Sequence, residues 1–150
     1  MSLPHATIPT MDFTKITFLR PAGLVNSPAF SHAAVVPPGA ATIYVGGQNG
    51  VDAEGKLVSD NIGEQAGRAV DNAAAALAAA GATLADVIQW NVLFVEGVDL
   101  QAAYGAIGPR LGAAAAKAGA PPLVTGARVA ALGVPGALIE VSAVAAVVPA

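Results

Sequence analysis

The chain has 150 residues, 55% of them hydrophobic and 11% charged, and its seven basic and ten acidic side chains give a net charge of −3. That length suits one domain with a real core, and charge at under half the ~25% usual in soluble domains points to apolar surface buried between subunits. Without a Lys/Arg cluster, nucleic acid is disfavoured as a partner, and without cysteine there are no disulfides, thiolate nucleophiles or Cys-based metal sites.

Residues 1–13 read as an N-terminal arm and residues 14–150 as a single domain. The first ten residues have neither the basic region nor the apolar region of a signal peptide. Alanine-rich stretches are broken by Gly, Pro and isolated charges, so no run reads as a membrane span and a soluble, cytoplasmic protein is expected. Residues 14–20 alternate as a first strand, residues 30–36 form a second ending at Pro37-Pro-Gly39, and residues 42–46 a third, which predicts a hairpin-like start. Gly46-Gly-Gln-Asn-Gly50 permits a sharp turn or a close backbone approach, but it lacks the spacing and Lys-Ser/Thr ending of a phosphate loop.

Asn61 followed by Glu64 makes a capping-box-like start, and Ile62, Ala66, Val70, Ala73 and Leu77 form a helical stripe that stops at Gly81. Residues 87–95 form a long strand. Ile88, Trp90, Val92 and Phe94 on one face are expected to pack on helices; Val87, Gln89, Asn91, Leu93 and Val95 on the other suit subunit contact around a partly hydrated centre. Asp99 caps a second helix with the stripe Leu100, Ala103, Tyr104, Ile107, Leu111 and Ala115, kinked at Gly108-Pro109. After Pro121-Pro122, strands over about 123–132 and 137–147 are joined by the Gly133-Val-Pro-Gly136 turn.

The order βββαβαββ predicts an α+β sandwich with both helices on one face of a mixed sheet. Glu140 is the most informative single residue, the only charged side chain after Arg128, set inside the apolar run 137–148. Burial without a partner would disfavour its charged form, and such carboxylates occur where water or protons are handled; the competing reading is a solvated strand residue. Two histidines without a ligand pattern make no metal site. His5 reads as solvated, and His32 as either a general base or a satisfied strand residue. Trp90 alternates with core residues and reads as packing.

Five segments in order, Ser27-Pro-Ala-Phe-Ser-His-Ala33, Ile43-Tyr-Val-Gly-Gly-Gln48, the capped helix, the strand within Ala82-Thr-Leu-Ala-Asp-Val-Ile-Gln-Trp-Asn-Val-Leu-Phe94, and Ala137-Leu-Ile-Glu-Val-Ser-Ala-Val144, resemble the Rid (YjgF-like) family of reactive-intermediate deaminases. The resemblance spans about residues 14–147. It implies a chorismate-mutase-like (ferredoxin-like) homotrimer with clefts between subunits, no cofactor and no metal, hydrolysing enamines and imines to a 2-oxo acid and ammonia. It implies that Glu140 positions or activates water. Val124 falls where the family's carboxylate-gripping Arg belongs, and Thr125 on the small residue after it. Phe30 replaces the usual Tyr, His32 a Gln, and Tyr104 falls near the usual helix Asn, while Gly46 and Gly47 fit the cleft-forming strand end.

Loss of a bidentate guanidinium removes a directional grip on carboxylate. Period-two alternation puts Val124, Gly126 and Arg128 on one strand face, so Arg128 is a candidate replacement, against an exposed or interface Arg. Backbone N–H groups around Thr125 and Gly126 are candidate donors to a substrate oxygen. Three functions follow: a Rid-like hydrolase with Glu140 and Thr125 as catalytic candidates; a non-catalytic small-molecule binder using Val124, Phe30 and Tyr104 as an apolar pocket; and, ranked last, a ribonuclease or translation inhibitor.

Overall fold

The computed structural model describes residues 11–150, so most of the expected arm lies outside the described residues. In chain order the elements are β1 (Thr17–Leu19), β2 (Ala33–Val35), β3 (Ala41–Gln48), α1 (Ile62–Ala79), a 3-10 turn (Leu84–Asp86), β4 (Val87–Val95), α2 (Leu100–Ala118), β5 (Leu123–Val129) and β6 (Ile139–Val147). This is the predicted βββαβαββ order and an α+β fold. The sheet is four-stranded and mixed, ordered β3-β6-β4-β5, with β4 and β5 parallel across the α2 crossover and the other neighbours antiparallel.

The start of the chain differs from expectation. β1 and β2 are three residues each and pair only with one another, Thr17 opposite Val35 and Leu19 opposite Ala33, while β3 joins the main sheet against β6. The predicted hairpin between the second and third strands is therefore absent: Pro37, Pro38 and Gly39 break the chain between two different sheets. The strand predicted to reach residue 132 also stops at Val129.

Both helices start where their caps predict. The Asn61 side chain accepts from the Glu64 N–H at 3.0 Å, and Asp99 accepts from the N–H groups of Gln101 and Ala102, each satisfying donors a helix start leaves orphaned. α2 runs on through Pro109 and ends at Gly119 with φ 87°. Among the described residues no helix is long and apolar enough to cross a membrane. A capping box on the 3-10 turn, made by Thr83 and Asp86, was not anticipated.

Ala66, Val70, Ala73 and Leu77 of α1, with Ala103 and Ile107 of α2, join Trp90, Val92, Phe94, Ile139, Val141 and Ala143 in one core. An irregularity between Val87 and Gln89 shifts the phase of β4, so Val87 is buried and Ile88 half-buried, the reverse of simple alternation. Burying the apolar stripe of each helix against one sheet face is the main stabilising contribution, at ~25 cal/mol per Å2. No part of the described chain covers the other face. There Gln89, Asn91, Leu93, Ser142 and Val144 are half-buried, and Tyr44 is 80% exposed.

Candidate functional site

β3 carries an extra residue at its end. Val45 lies opposite Ala143 and Gln48 opposite Val141, so Gly46 and Gly47 together face the single residue Ser142, a β-bulge. The half-buried Glu140 lies beside it. A β-carbon on Gly47 would fall 2.7 Å from the Glu140 carboxyl carbon, so glycine is what leaves room for the carboxylate. Among the described residues no hydrogen bond or ion pair engages that carboxylate, which leaves both oxygens available to water.

Register then sorts the candidate residues onto two faces. Glu140 is opposite Leu93, and Asn91 is flanked by Ser142 on one side and Thr125 on the other. Residues paired in register share a face, so Thr125, Asn91 and Ser142 form a polar row across the uncovered face, with Glu140 two residues along β6 from Ser142. Thr125 and Glu140 sit two strand spacings and two residues apart, about 12 Å, too far for direct contact. On β5 the intervening residues pair with the core: Val124 with Trp90, Gly126 with Val92 and Arg128 with Phe94. Val124, Gly126 and Arg128 thus belong to the helix-covered side, and Glu140 to the opposite one.

On the helix side a cavity of about 390 Å3 opens between α2 and the outer part of the sheet. Phe30, Tyr104 and Val124 all line it, together with Trp90, Val92 and Leu111. Its origin is local. α2 packs chiefly against α1 and the 3-10 turn rather than against β4 and β5, and its cavity side carries Gly108, Gly112 and Ala115. The Tyr104 ring meets Phe94 edge-on with ring centres 5.5 Å apart, and its hydroxyl would lie 3.8 Å from a β-carbon on Gly126. Burial pushes the Tyr104 phenol above its ordinary pKa, which keeps it neutral.

Arg128 does not line this cavity; its guanidinium donates to the Val98 carbonyl at 3.2 Å. The His32 ring nitrogen Nε2 lies 2.6 Å from the Val25 carbonyl and the ring stacks edge-on with Phe30. That contact supports the satisfied reading of His32. No group of three His, Asp or Glu side chains able to hold a metal gathers among the described residues. Sequence reasoning missed Ser142 and Asn91 as partners of Thr125, because their alignment depends on which strands are neighbours. It favoured packing over substrate stacking for Trp90, which is a core residue that also lines the cavity, and read Gly108 only as part of a kink, although Gly108 and Gly112 leave visible gaps beside the α2 stripe.

The Endoribonuclease L-PSP family model matches residues 24–147. No curated protein matches the sequence. Among solved structures, YyfB from Yersinia pestis, described as a protein of unknown function of the conserved Rid family, is 30% identical with a TM-score of 0.76, covering 89% of this chain and 99% of its own. Rv2704 of the YjgF/YER057c/UK114 family from Mycobacterium tuberculosis is 25% identical with a TM-score of 0.59, covering 89% and 100%. TdcF from E. coli, solved with bound serine, is 22% identical with a TM-score of 0.61, covering 77% and 85%, and shares the fold. By family model and by structure alike, this chain belongs to the Rid (YjgF/YER057c/UK114) family.

Proposed function

We propose that the protein is a Rid-type hydrolase acting on an enamine, imine or related small molecule, in a cleft completed between the subunits of a homotrimer. The observation that carries this reading is the Glu140 carboxylate, half-buried, unpartnered among the described residues and held beside the Gly46-Gly47 bulge. Glu140 accepts a proton from water as the water oxygen adds to the C=N carbon. The imine reacts in its protonated form, so the addition gives a neutral carbinolamine. The Glu140 carboxyl then returns its proton to nitrogen, and the carbinolamine hydroxyl proton leaves with the departing amine as the C–N bond breaks, giving a carbonyl and an ammonium ion. An enamine first takes a proton at carbon to reach the C=N form.

Assembly follows from the division of the site. Phe30, Tyr104, Val124 and Gly126 lie on one side of the sheet and Glu140 on the other, and Thr125 is too far from the Glu140 of its own chain to touch the same C=N group, so one chain cannot present the whole set to one molecule. In the proposed trimer the uncovered face of one subunit meets the β5 edge of the next, which brings Glu140 of one chain to Val124, Thr125 and Gly126 of another. Gly46 and Gly47 shape the wall beside Glu140, and the hydroxyl of Thr125 on the adjacent β5 edge orients the carbonyl or imine. β5 is the edge of its sheet. N–H groups near Thr125 and Gly126 directed away from β4 are donors for a substrate oxygen. Arg128, held by Val98, borders the cleft rather than gripping a carboxylate in place of the family Arg. The serine bound to TdcF supports a small-molecule site, and the net charge of −3 gives no support to RNA as the substrate.

Ammonia release from freshly generated imines tests the proposal. The native protein turns over and Glu140→Gln, which keeps shape but not basicity, loses at least about 100-fold; equal rates would overturn it. A second reading, a non-catalytic binder, is favoured by one observation, the gathering of Phe30, Tyr104 and Val124 around the apolar cavity. A ligand retained through purification, with no turnover of any imine, would select it.

A further inference from the structure

We propose that the cavity behind Val124 takes a neutral, largely apolar small molecule with one hydrogen-bond acceptor, such as a ketone or imine bearing an aliphatic or aromatic chain, rather than an amino-acid-derived carboxylate. This deepens the proposed function and rests on the site being a small-molecule cleft, but not on the reaction performed there. At about 390 Å3 the cavity falls in the range of ligand pockets, ~300–1,000 Å3.

The space is unfilled although the sequence had simple means to fill it. A β-carbon added to Gly108 or Gly112 would meet nothing within 4 Å. Both glycines sit inside a helix, where any larger apolar residue has better propensity and would close the gap against Trp90 and Val124. A core shaped for stability alone would place leucines there. The walls offer few polar atoms. The Tyr104 hydroxyl, which would lie 3.8 Å from a β-carbon on Gly126 and makes no hydrogen bond with a described residue, is the polar handle. A phenol hydroxyl can donate, so the ligand complementary to it brings an acceptor. Among the described residues no cation lines the cavity. A carboxylate entering past Val124 would be stripped of water without an ion pair in return.

The chain's single tryptophan is Trp90, so its emission reports occupancy directly. The purified full chain is titrated with cyclohexyl methyl ketone and with cyclohexanecarboxylate, a pair matched in shape, by Trp90 fluorescence and calorimetry. The ketone is expected to bind and shift the emission, with the carboxylate at least about tenfold weaker. Gly112→Leu fills the cavity and is expected to lose ketone binding while keeping or raising Tm. Val124→Arg, on the exposed edge strand, provides an independent variant and is expected to reverse the preference. Equal binding of the two compounds, ketone binding unchanged in a folded Gly112→Leu, or no binding of either because a neighbouring subunit fills the cavity, would each overturn the proposal. Ketone binding without hydrolysis of any imine supports it while removing the hydrolase reading. Hydrolysis of 2-imino acids without ketone binding removes this proposal and leaves the hydrolase.

Discussion

The Glu140 carboxylate occupies the space above Gly47: a β-carbon there would lie 2.7 Å from the carboxyl carbon and 2.9 and 3.0 Å from the two oxygens. The obstructing atoms are the far end of a flexible side chain, so a methyl group would displace the carboxylate and leave the strand in place. Gly47→Ala is therefore expected to change stability by less than about 1 kcal/mol but to lower imine turnover about 10- to 100-fold, since small misplacements of catalytic groups are costly. Paired urea unfolding and ammonia-release assays check both halves, and full activity would show that the position of Glu140 is irrelevant.

Gln65 holds the loop before β6. Fully buried, it donates to the Ser59 carbonyl at 2.9 Å and the Gly136 carbonyl at 3.3 Å, and accepts from the Leu138 N–H at 2.8 Å. Gln65→Leu would remove the partner of the half-buried Ser59 carbonyl and Leu138 N–H, at ~1–3 kcal/mol for each left unsatisfied, while the carbonyl of the exposed Gly136 can turn to water. Urea denaturation should show a loss of about 3 kcal/mol with the m-value unchanged. Because Leu138 directly precedes β6, turnover should fall as well.

Tyr104 predicts an alkaline limit. Its folded pKa is raised by burial above the ordinary 10.0, so the unfolded chain loses this proton first. Its contribution to stability is complete below pH 10.0 and is lost as pH rises through the folded value. Tyr104→Phe should flatten the fall in stability above that pH and leave the neutral range unaltered in slope. Thermal melts from pH 7 to 11 measure the difference, and an identical alkaline slope would refute it.

Tyr44 stands 80% exposed on the face that no described part of the chain covers. If that face packs against other subunits, Tyr44→Asp puts a charge into an apolar contact and shifts the protein from trimer towards monomer. Sedimentation at micromolar concentration reads the change. A variant with native sedimentation would place the interface elsewhere.

Much of this was legible in the sequence because it is local chemistry. Asn61 and Asp99 announce their helices through their own side chains, and the alternation of Trp90, Val92 and Phe94 marks their strand face whatever its neighbours. Glu140 stood out as a lone charge in an apolar run. Pairing was less legible: residues 33–35 alternate equally well whether they bond to β1 or β3, and only the assembled sheet decides. The division of Val124 from Glu140 follows from period-two alternation once β5 and β6 are known to flank β4, information that no short segment contains. The cavity depends on α2 packing on α1 and standing off β5, although the gaps at Gly108 and Gly112 were there to be read.

The claim that the cleft is shared between subunits is tested most directly by mixing variants. Glu140→Gln removes the base from one half, and Val124→Trp blocks the other, exposed half; each alone is expected to lack imine hydrolysis. When the two are denatured together and reassembled in equal amounts, about a quarter of the clefts should receive an intact half from each type, and about a quarter of native activity should return. Mixed assemblies as inactive as either parent would show that each site is confined to one chain, contradicting the shared cleft.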